Sequence, residues 1–151
     1  MNFLLNKGGA GKSLTRSDSV SEVSKLMRAQ IGLLNTYEAL IGVVESDTDL
    51  ARSLSALQKE HRDEIPKLSE IILSSGGEPP RESSPLAGDD VDSLIRAVNE
   101  GERSMRSDLE QQIKLKHHIR TIAVLKTLLA NTERRIGEIQ TAAQQLSIPV
   151  G

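Results

Sequence analysis

Four polar side chains lie on or beside apolar stripes of helical spacing, and their types could bind a metal ion: Glu38, His61, Glu102 and Glu133. Carboxylates with an imidazole suit Fe²⁺, Mn²⁺ or Zn²⁺ without selecting among them. Glu64 shares the stripe of His61, about 4.5 Å further along the same helix. The four residues are therefore a candidate metal site, whose cofactor would be iron, manganese or zinc.

The same side chains also fit a site without metal. A buried polar cluster, for example Glu38 hydrogen-bonded to His61, can be kept for structural specificity. Glutamates at the edge of a stripe can also reach the solvent. The sequence offers no Ser/His/Asp order and no Gly-x-Ser-x-Gly turn that would support hydrolysis, so we name no catalytic residue.

A second motif with possible chemistry lies near the N-terminus, at residues 7–13. The run KGGAGKS matches the deviant Walker A loop of the ParA/MinD-type ATPases and follows the apolar residues 3–5. Such a loop holds phosphate only at a strand-to-helix turn supported by a parallel sheet. No further strand pattern occurs, so nucleotide binding is a distant alternative and residues 1–18 are expected to be a flexible leader.

Composition excludes several other classes of function. The 151-residue chain has no cysteine, which rules out disulfides, thiolate metal sites and cysteine catalysis. Its net charge of −2 gives no overall attraction to nucleic acid. No apolar stretch approaches the length of a membrane span, and the N-terminus lacks an apolar signal region. We expect no nucleic-acid partner, no membrane and a cytoplasmic location.

Helical periodicity predicts the elements that position the candidate site. A capping box at 19–22 predicts a first helix ending near 46, and a turn at 46–49 leads into a second helix that ends near 75 and contains Pro66. Asp89 and Asp90 cap a third helix. The stripes of helices three and four are out of phase, which favours a turn near 113–118 over one long helix. The predicted inner stripes of helices three and four are Val91, Ile95, Val98, Glu102, Met105, Leu109 and Gln112, followed by Ile122, Leu125, Leu129, Thr132, Ile136, Ile139, Ala143 and Leu146.

Loop lengths limit how these helices can be connected. The short first and third loops predict antiparallel neighbours. The irregular segment 76–89 could run the length of the bundle as a crossover, or it could make a simple up-down link. In either case Glu38, His61, Glu102 and Glu133 can lie near one mid-bundle level. The predicted fold is an all-α antiparallel four-helix bundle over 19–147 with a tail at 148–151.

One carboxylate per helix, a His on helix two and a long middle connection resemble the ferritin-like superfamily. The segments KEHRDEI at 59–65, GGEP at 76–79 and NEGE at 99–102 are similar to its uncharacterised, rubrerythrin-related bacterial branch. In that superfamily two helices each give a Glu and two give Glu-x-x-His, which together hold two metals. The resemblance matches Glu38 and Glu102 to the single Glu positions and His61 to the first motif His. Gln58 replaces the first motif Glu, and no His follows Glu133, so at most one metal could be held.

The resemblance thus implies a ferritin-like bundle of structural or stress-related role with a degenerate metal site. A di-iron-type oxidative enzyme using the four candidate ligands is the alternative. A second apolar row on helix one, at Leu26, Leu33 and Leu40, has the spacing of a helix–helix seam. We therefore expect a homo-oligomer, at least a dimer, although the row could instead be buried within the chain's own bundle.

Overall fold

The computed structural model describes residues 14–83 and 88–151, and within these ranges the chain forms four α-helices and no strand. The helices are α1 (Arg16–Val43), α2 (Asp49–Ser74), α3 (Val91–Ile113) and α4 (Ile119–Gln145). The predicted all-α four-helix bundle is confirmed. The Walker-type run at 7–13 lies outside the described residues.

Helix α1 begins one turn earlier than the sequence predicted. Thr15 is its N-cap, with a side chain that accepts a hydrogen bond of 3.0 Å from the backbone N–H of Asp18. Ser19, the predicted cap, is instead buried on the helix and contacts His117. Two Ser/Thr-x-x-acid sequences follow one another here, at 15–18 and 19–22, and the helix begins at the first. Residues 16–18 of the predicted leader therefore belong to the helix.

Helix α2 ends in a glycine pair, close to the end near residue 75 that the sequence predicted. The N–H of Gly77 donates to the carbonyl of Ile72, and the N–H of Gly76 donates to that of Leu73, as in a Schellman motif. Gly76 has φ of 85°, a conformation that glycine adopts without strain. Gly77 lies so close to Val20 that a Cβ there would meet a methyl group at 2.5 Å. The glycine pair thus both ends α2 and lets the chain pass close to α1.

The predicted break between the third and fourth helices is confirmed. Asp90 caps α3 through a capping box with Ser93, and α3 ends at Ile113. His118 is the N-cap of α4, since its Nδ1 accepts a hydrogen bond of 3.1 Å from the N–H of Arg120. His118 therefore caps the start of α4, while its neighbour His117 is buried.

The middle connection runs along the bundle as a crossover. The start of α1 lies beside the end of α3, because Gln112 donates to Glu22 and the N–H of Leu14 donates to the carbonyl of Lys116. Helix α3 is therefore antiparallel to α1, as α2 is. The connection starts beside Val20 and reaches Gly32, halfway along α1, where the hydroxyl of Ser83 lies 3.5 Å from the position of an added Cβ. Of the two predicted topologies, the structure has the crossover.

One core fills the space between the four helices. Leu26, Leu33 and Leu40 are at most 4% exposed and belong to it, so this row is no seam for a second chain. The C-terminal residues also pack on the bundle: Ile148 donates to the carbonyl of Ala143, and the carbonyl of Pro149 accepts from Arg96. None of the helices in the described ranges has the length and apolarity needed to cross a membrane.

Candidate functional site

A polar cluster lies halfway along the bundle, surrounded by the apolar core. Each helix contributes to it, and its members are at most 3% exposed: Gln30 and Tyr37 from α1, His61 and Glu64 from α2, Glu102 from α3, and Thr132 and Arg135 from α4. Buried polar groups are costly unless they are paired. We call this set the central cluster.

Arg135 is the centre of the central cluster. Its Nε lies 3.2 and 3.1 Å from the two oxygens of Glu102, and its Nη1 and Nη2 lie 2.9 and 3.2 Å from those of Glu64. Nη1 also donates to Glu60 at 3.1 Å, and Nη2 donates to the hydroxyl of Thr132 at 3.0 Å. A buried guanidinium needs several acceptors in its plane, and here it has them. The cation therefore joins α2, α3 and α4.

Glu102 accepts hydrogen bonds from three helices. Besides Arg135 of α4, the hydroxyl of Tyr37 donates at 2.6 Å and Nε2 of His61 lies at 2.7 Å. Burial alone would raise the pKa of Glu102, but its hydrogen bond to His61 and the charge of Arg135 outweigh this, and the pKa lies below its usual value. Glu102 is thus held as a carboxylate.

Gln30 determines which ring nitrogen of His61 donates. Its Nε2 lies 3.1 Å from Nδ1 of His61 and donates to Glu64 at 2.6 Å. An amide nitrogen only donates, so Nδ1 is the acceptor and Nε2 of His61 carries the hydrogen that is donated to Glu102. The amide oxygen of Gln30 is buried without a hydrogen-bond partner in the described part of the chain. It is the only buried side-chain oxygen or nitrogen among the described residues that lacks one.

Charged residues continue from the central cluster to the surface between α2 and α4. Arg134 pairs with Glu60 and with Glu138, and Asn131 donates to Glu64 at 2.8 Å. Glu60, which is about a third exposed, therefore accepts from both arginines. Burial by itself would lower the pKa of Arg135, but Glu102 and Glu64 raise it above its usual value, so the guanidinium stays charged.

The close approach of α1 and α3 depends on Gly101, beside Glu102. A Cβ on Gly101 would lie 2.7 Å from a methyl group of Leu33. The absence of a side chain there lets the two helices approach and brings the hydroxyl of Tyr37 to the carboxylate of Glu102. The glycine of the NEGE segment is therefore explained by packing.

The structure brings together only two of the four metal ligands proposed from the sequence. His61 and Glu102 are in contact in the central cluster, while Glu38 and Glu133 are exposed on the outer faces of α1 and α4. Within residues 14–83 and 88–151, no three His, Asp or Glu side chains form a group that could hold a metal ion. The carboxylates of the cluster already contact the guanidinium of Arg135. A metal ion between them does not fit this arrangement, because the positive charge of Arg135 is already there. Metal binding by the four residues stays a prediction.

Sequence reasoning missed Arg135, the central residue of the site. The predicted apolar stripe of α4 runs through Ile136 and leaves Arg135 out. A stripe drawn through positions 128, 132, 135 and 139 also has helical spacing, and it would have placed Arg135 on the buried face. No sequence signal predicted the partners that Tyr37 and Gln30 have in the central cluster.

Comparison with solved structures supports the fold. A dodecameric thioferritin, the bacterioferritin-related protein from Bacteroides fragilis, superposes with a TM-score of 0.77 over 89% of each chain, at 15% sequence identity. No protein-family model matches the chain, and no curated protein is significantly similar to it in sequence. A likeness at this identity concerns the fold, and the fold is the ferritin-like four-helix bundle that the sequence predicted.

Proposed function

We propose that this ferritin-like bundle is a structural or stress-related module, without catalytic activity, whose centre is held by an arginine in place of metal ions. The observation that carries the proposal is the contact of one buried guanidinium with Glu60, Glu64 and Glu102. In metal-binding proteins of this fold, carboxylates from several helices surround cations. Here Arg135 supplies the positive charge, so the carboxylates need no metal to be stable in the core.

Metal-dependent stability separates the proposal from the oxidative-enzyme alternative. We expect Zn²⁺ or Mn²⁺ to leave the melting temperature of the chelator-treated wild type unchanged. Arg135→Ala releases His61, Glu64 and Glu102 from the guanidinium, so that they can rearrange around a metal ion, and metal should then raise the melting temperature of this variant. Arg134→Ala is the matched control, because it removes a neighbouring arginine that lies outside the centre. If Arg135→Ala folds only when metal is added, that result also supports the proposal.

Tight binding of one or more metal ions by the wild type would overturn the proposal. Elemental analysis of protein purified without chelator measures this directly. Glu38→Gln and Glu102→Gln then show whether such an ion uses the residues proposed from the sequence. Loss of the metal in both variants would support the oxidative-enzyme alternative with Glu38, His61, Glu102 and Glu133 as ligands.

We further propose that the module is a homo-oligomer. The thioferritin of the same fold is dodecameric. Leu73 and Ile119 are large apolar side chains that are 58% and 78% exposed, near the end of α2 and at the start of α4. Light scattering should give a mass that is a multiple of 16.4 kDa. Leu73→Lys should reduce it, whereas Gln111→Lys, at an exposed polar position, should not; a monomer at all concentrations would contradict assembly.

A further inference from the structure

A second site of interest lies at one end of the bundle, away from the central cluster. The start of α1, the end of α2 and the start of α4 enclose a cleft of about 510 Å³. No member of the central cluster lines this end cleft. Its size is within the range of small-molecule pockets, roughly 300–1,000 Å³.

The end cleft carries an excess of positive charge on a chain whose net charge is negative. Arg16, Lys67 and Arg120 line it, and none of their side chains has a hydrogen-bond or ion-pair partner in the described part of the chain. Glu70 is the one acidic residue of the lining within those ranges. Three cations against one carboxylate leave two positive charges without a counter-charge from the protein, so they favour binding of an anion.

Thr121 brings to the end cleft a hydroxyl group that no described residue contacts by a hydrogen bond. It lies in the first turn of α4, is 6% exposed and lines the cleft. Its hydroxyl has no hydrogen bond to any residue that the structure describes, so it is free to bond to a ligand in the cleft. The same turn has no acidic residue, and among the described residues its N-cap His118 accepts a hydrogen bond from the N–H of Arg120 alone. Unpaired N–H groups at a helix start attract anions.

The buried wall of the end cleft is fixed by hydrogen bonds to protein. Nε2 of His117 lies 2.8 Å from the amide oxygen of Gln112, and Nδ1 lies 3.1 Å from the hydroxyl of Ser19. Both ring nitrogens are therefore occupied. Burial lowers the pKa of His117, and the charge of Glu22 offsets only part of this lowering. The ring is therefore neutral near pH 7. The positive charge of the cleft thus comes from its arginines and lysine.

Apolar residues of the lining indicate what the rest of the ligand is. Leu14, Ile71 and Val124 form an apolar surface beside the charged residues. We propose that the end cleft binds an organic phosphate monoester, with the phosphate at Arg120, Thr121 and the start of α4 and the organic group against Ile71 and Val124. A phosphate monoester carries about −1.5 to −2 charges at pH 7, which matches the two unbalanced positive charges.

Calorimetric titration of the full chain with phenyl phosphate, inorganic phosphate and phenol tests this assignment. Phenyl phosphate should bind more tightly than inorganic phosphate, and phenol should not bind. Arg120→Gln and Thr121→Val should each weaken phenyl phosphate binding about tenfold, the size expected for a lost hydrogen bond to a charged group. Lys126→Gln is the matched control, since Lys126 is an exposed cation of the same helix that does not line the cleft. Circular dichroism confirms that each variant is folded.

Four results would overturn the proposal. Phenyl phosphate could fail to saturate the protein, or Lys126→Gln could weaken binding as much as Arg120→Gln, which would indicate attraction to surface charge in general. Benzoate could bind more tightly than phenyl phosphate, which would replace the phosphate class by carboxylates. NMR shifts in the amides of 119–124 support binding at this cleft, and shifts confined to other helices contradict it.

Discussion

The guanidinium of Arg135 and the carboxylate of Glu102 are in contact at the middle of the bundle, with Nε 3.1 and 3.2 Å from the two carboxylate oxygens and both side chains fully buried. Removing two ions from water costs more than one contact returns. The cost is offset because Arg135 also contacts Glu64, and Glu102 also accepts from Tyr37 and His61. The pair is therefore stable only as part of the whole central cluster.

Replacing Arg135 with a neutral side chain should destabilise the fold strongly. Arg135→Met leaves Glu64 and Glu102 buried without their cation, and breaking a buried ion pair in this way costs about 3–5 kcal/mol. Urea unfolding at pH 7 measures the loss. Arg134→Met, which removes only partly exposed pairs, should cost less than about 1 kcal/mol. Equal losses in the two variants would contradict a special role for Arg135.

The lowered pKa of Glu102 predicts how the wild type responds to acid. A carboxyl whose pKa is lower in the folded state than in the unfolded state stabilises the fold fully above its usual pKa of 4.5 and loses this contribution as the pH falls further. Glu102→Gln should therefore lower stability at pH 7 and flatten its decline below pH 4.5. Glu38→Gln, at an exposed carboxyl, should leave the acid profile unchanged. If the stability of Glu102→Gln declines as steeply with falling pH as that of the wild type, protonation of Glu102 is not the cause of the decline.

Tyr37 allows a direct optical measurement of the central cluster, since it is the one tyrosine in the chain. Burial and the charge of Glu102 raise its pKa well above 10. The hydroxyl therefore stabilises the fold fully below pH 10, and this contribution is lost as the pH rises further. Phenolate absorbance should appear together with the loss of helical circular dichroism. Titration near pH 10 in a chain that stays folded would show that Tyr37 is not held as described.

Tyr37→Phe tests the same hydrogen bond without ionisation. It removes one of the donors to Glu102 and should cost about 1.5–3 kcal/mol at pH 7, as for a hydrogen bond to a charged group. The alkaline decline in stability should also become shallower than in the wild type. A change below about 0.5 kcal/mol would mean that the hydrogen bond from Tyr37 to Glu102 contributes little to the stability of the fold.

The helices could be predicted from the sequence because their signals are local. Periodic apolar residues, Asp90 and the pair Gly76–Gly77 each indicate an element or its end within a few positions. His61 and Glu102 could be placed at one level because helix length and loop position determine height. The pairing of Arg135 with Glu102 could not be predicted, since a rotation of α4 by one position exchanges Arg135 with Ile136. That rotation is set by packing among all four helices.

Two glycines on neighbouring helices, Gly101 and Gly137, allow a test of how the distance between α1 and α3 positions the central cluster. Gly101→Ala places a Cβ 2.7 Å from the buried Leu33, and such overpacking costs about 1–3 kcal/mol. Gly137→Ala is the matched control: no atom of a described residue lies within 4 Å of its added Cβ, and alanine should stabilise α4 by about 0.5–1 kcal/mol. Opposite signs are therefore expected in thermal unfolding. Gly101→Ala should also move the NMR signals of Tyr37, because pushing α3 away from α1 lengthens its hydrogen bond to Glu102. If both variants are more stable than the wild type, Leu33 has room to rotate and Gly101 does not set the distance between the helices.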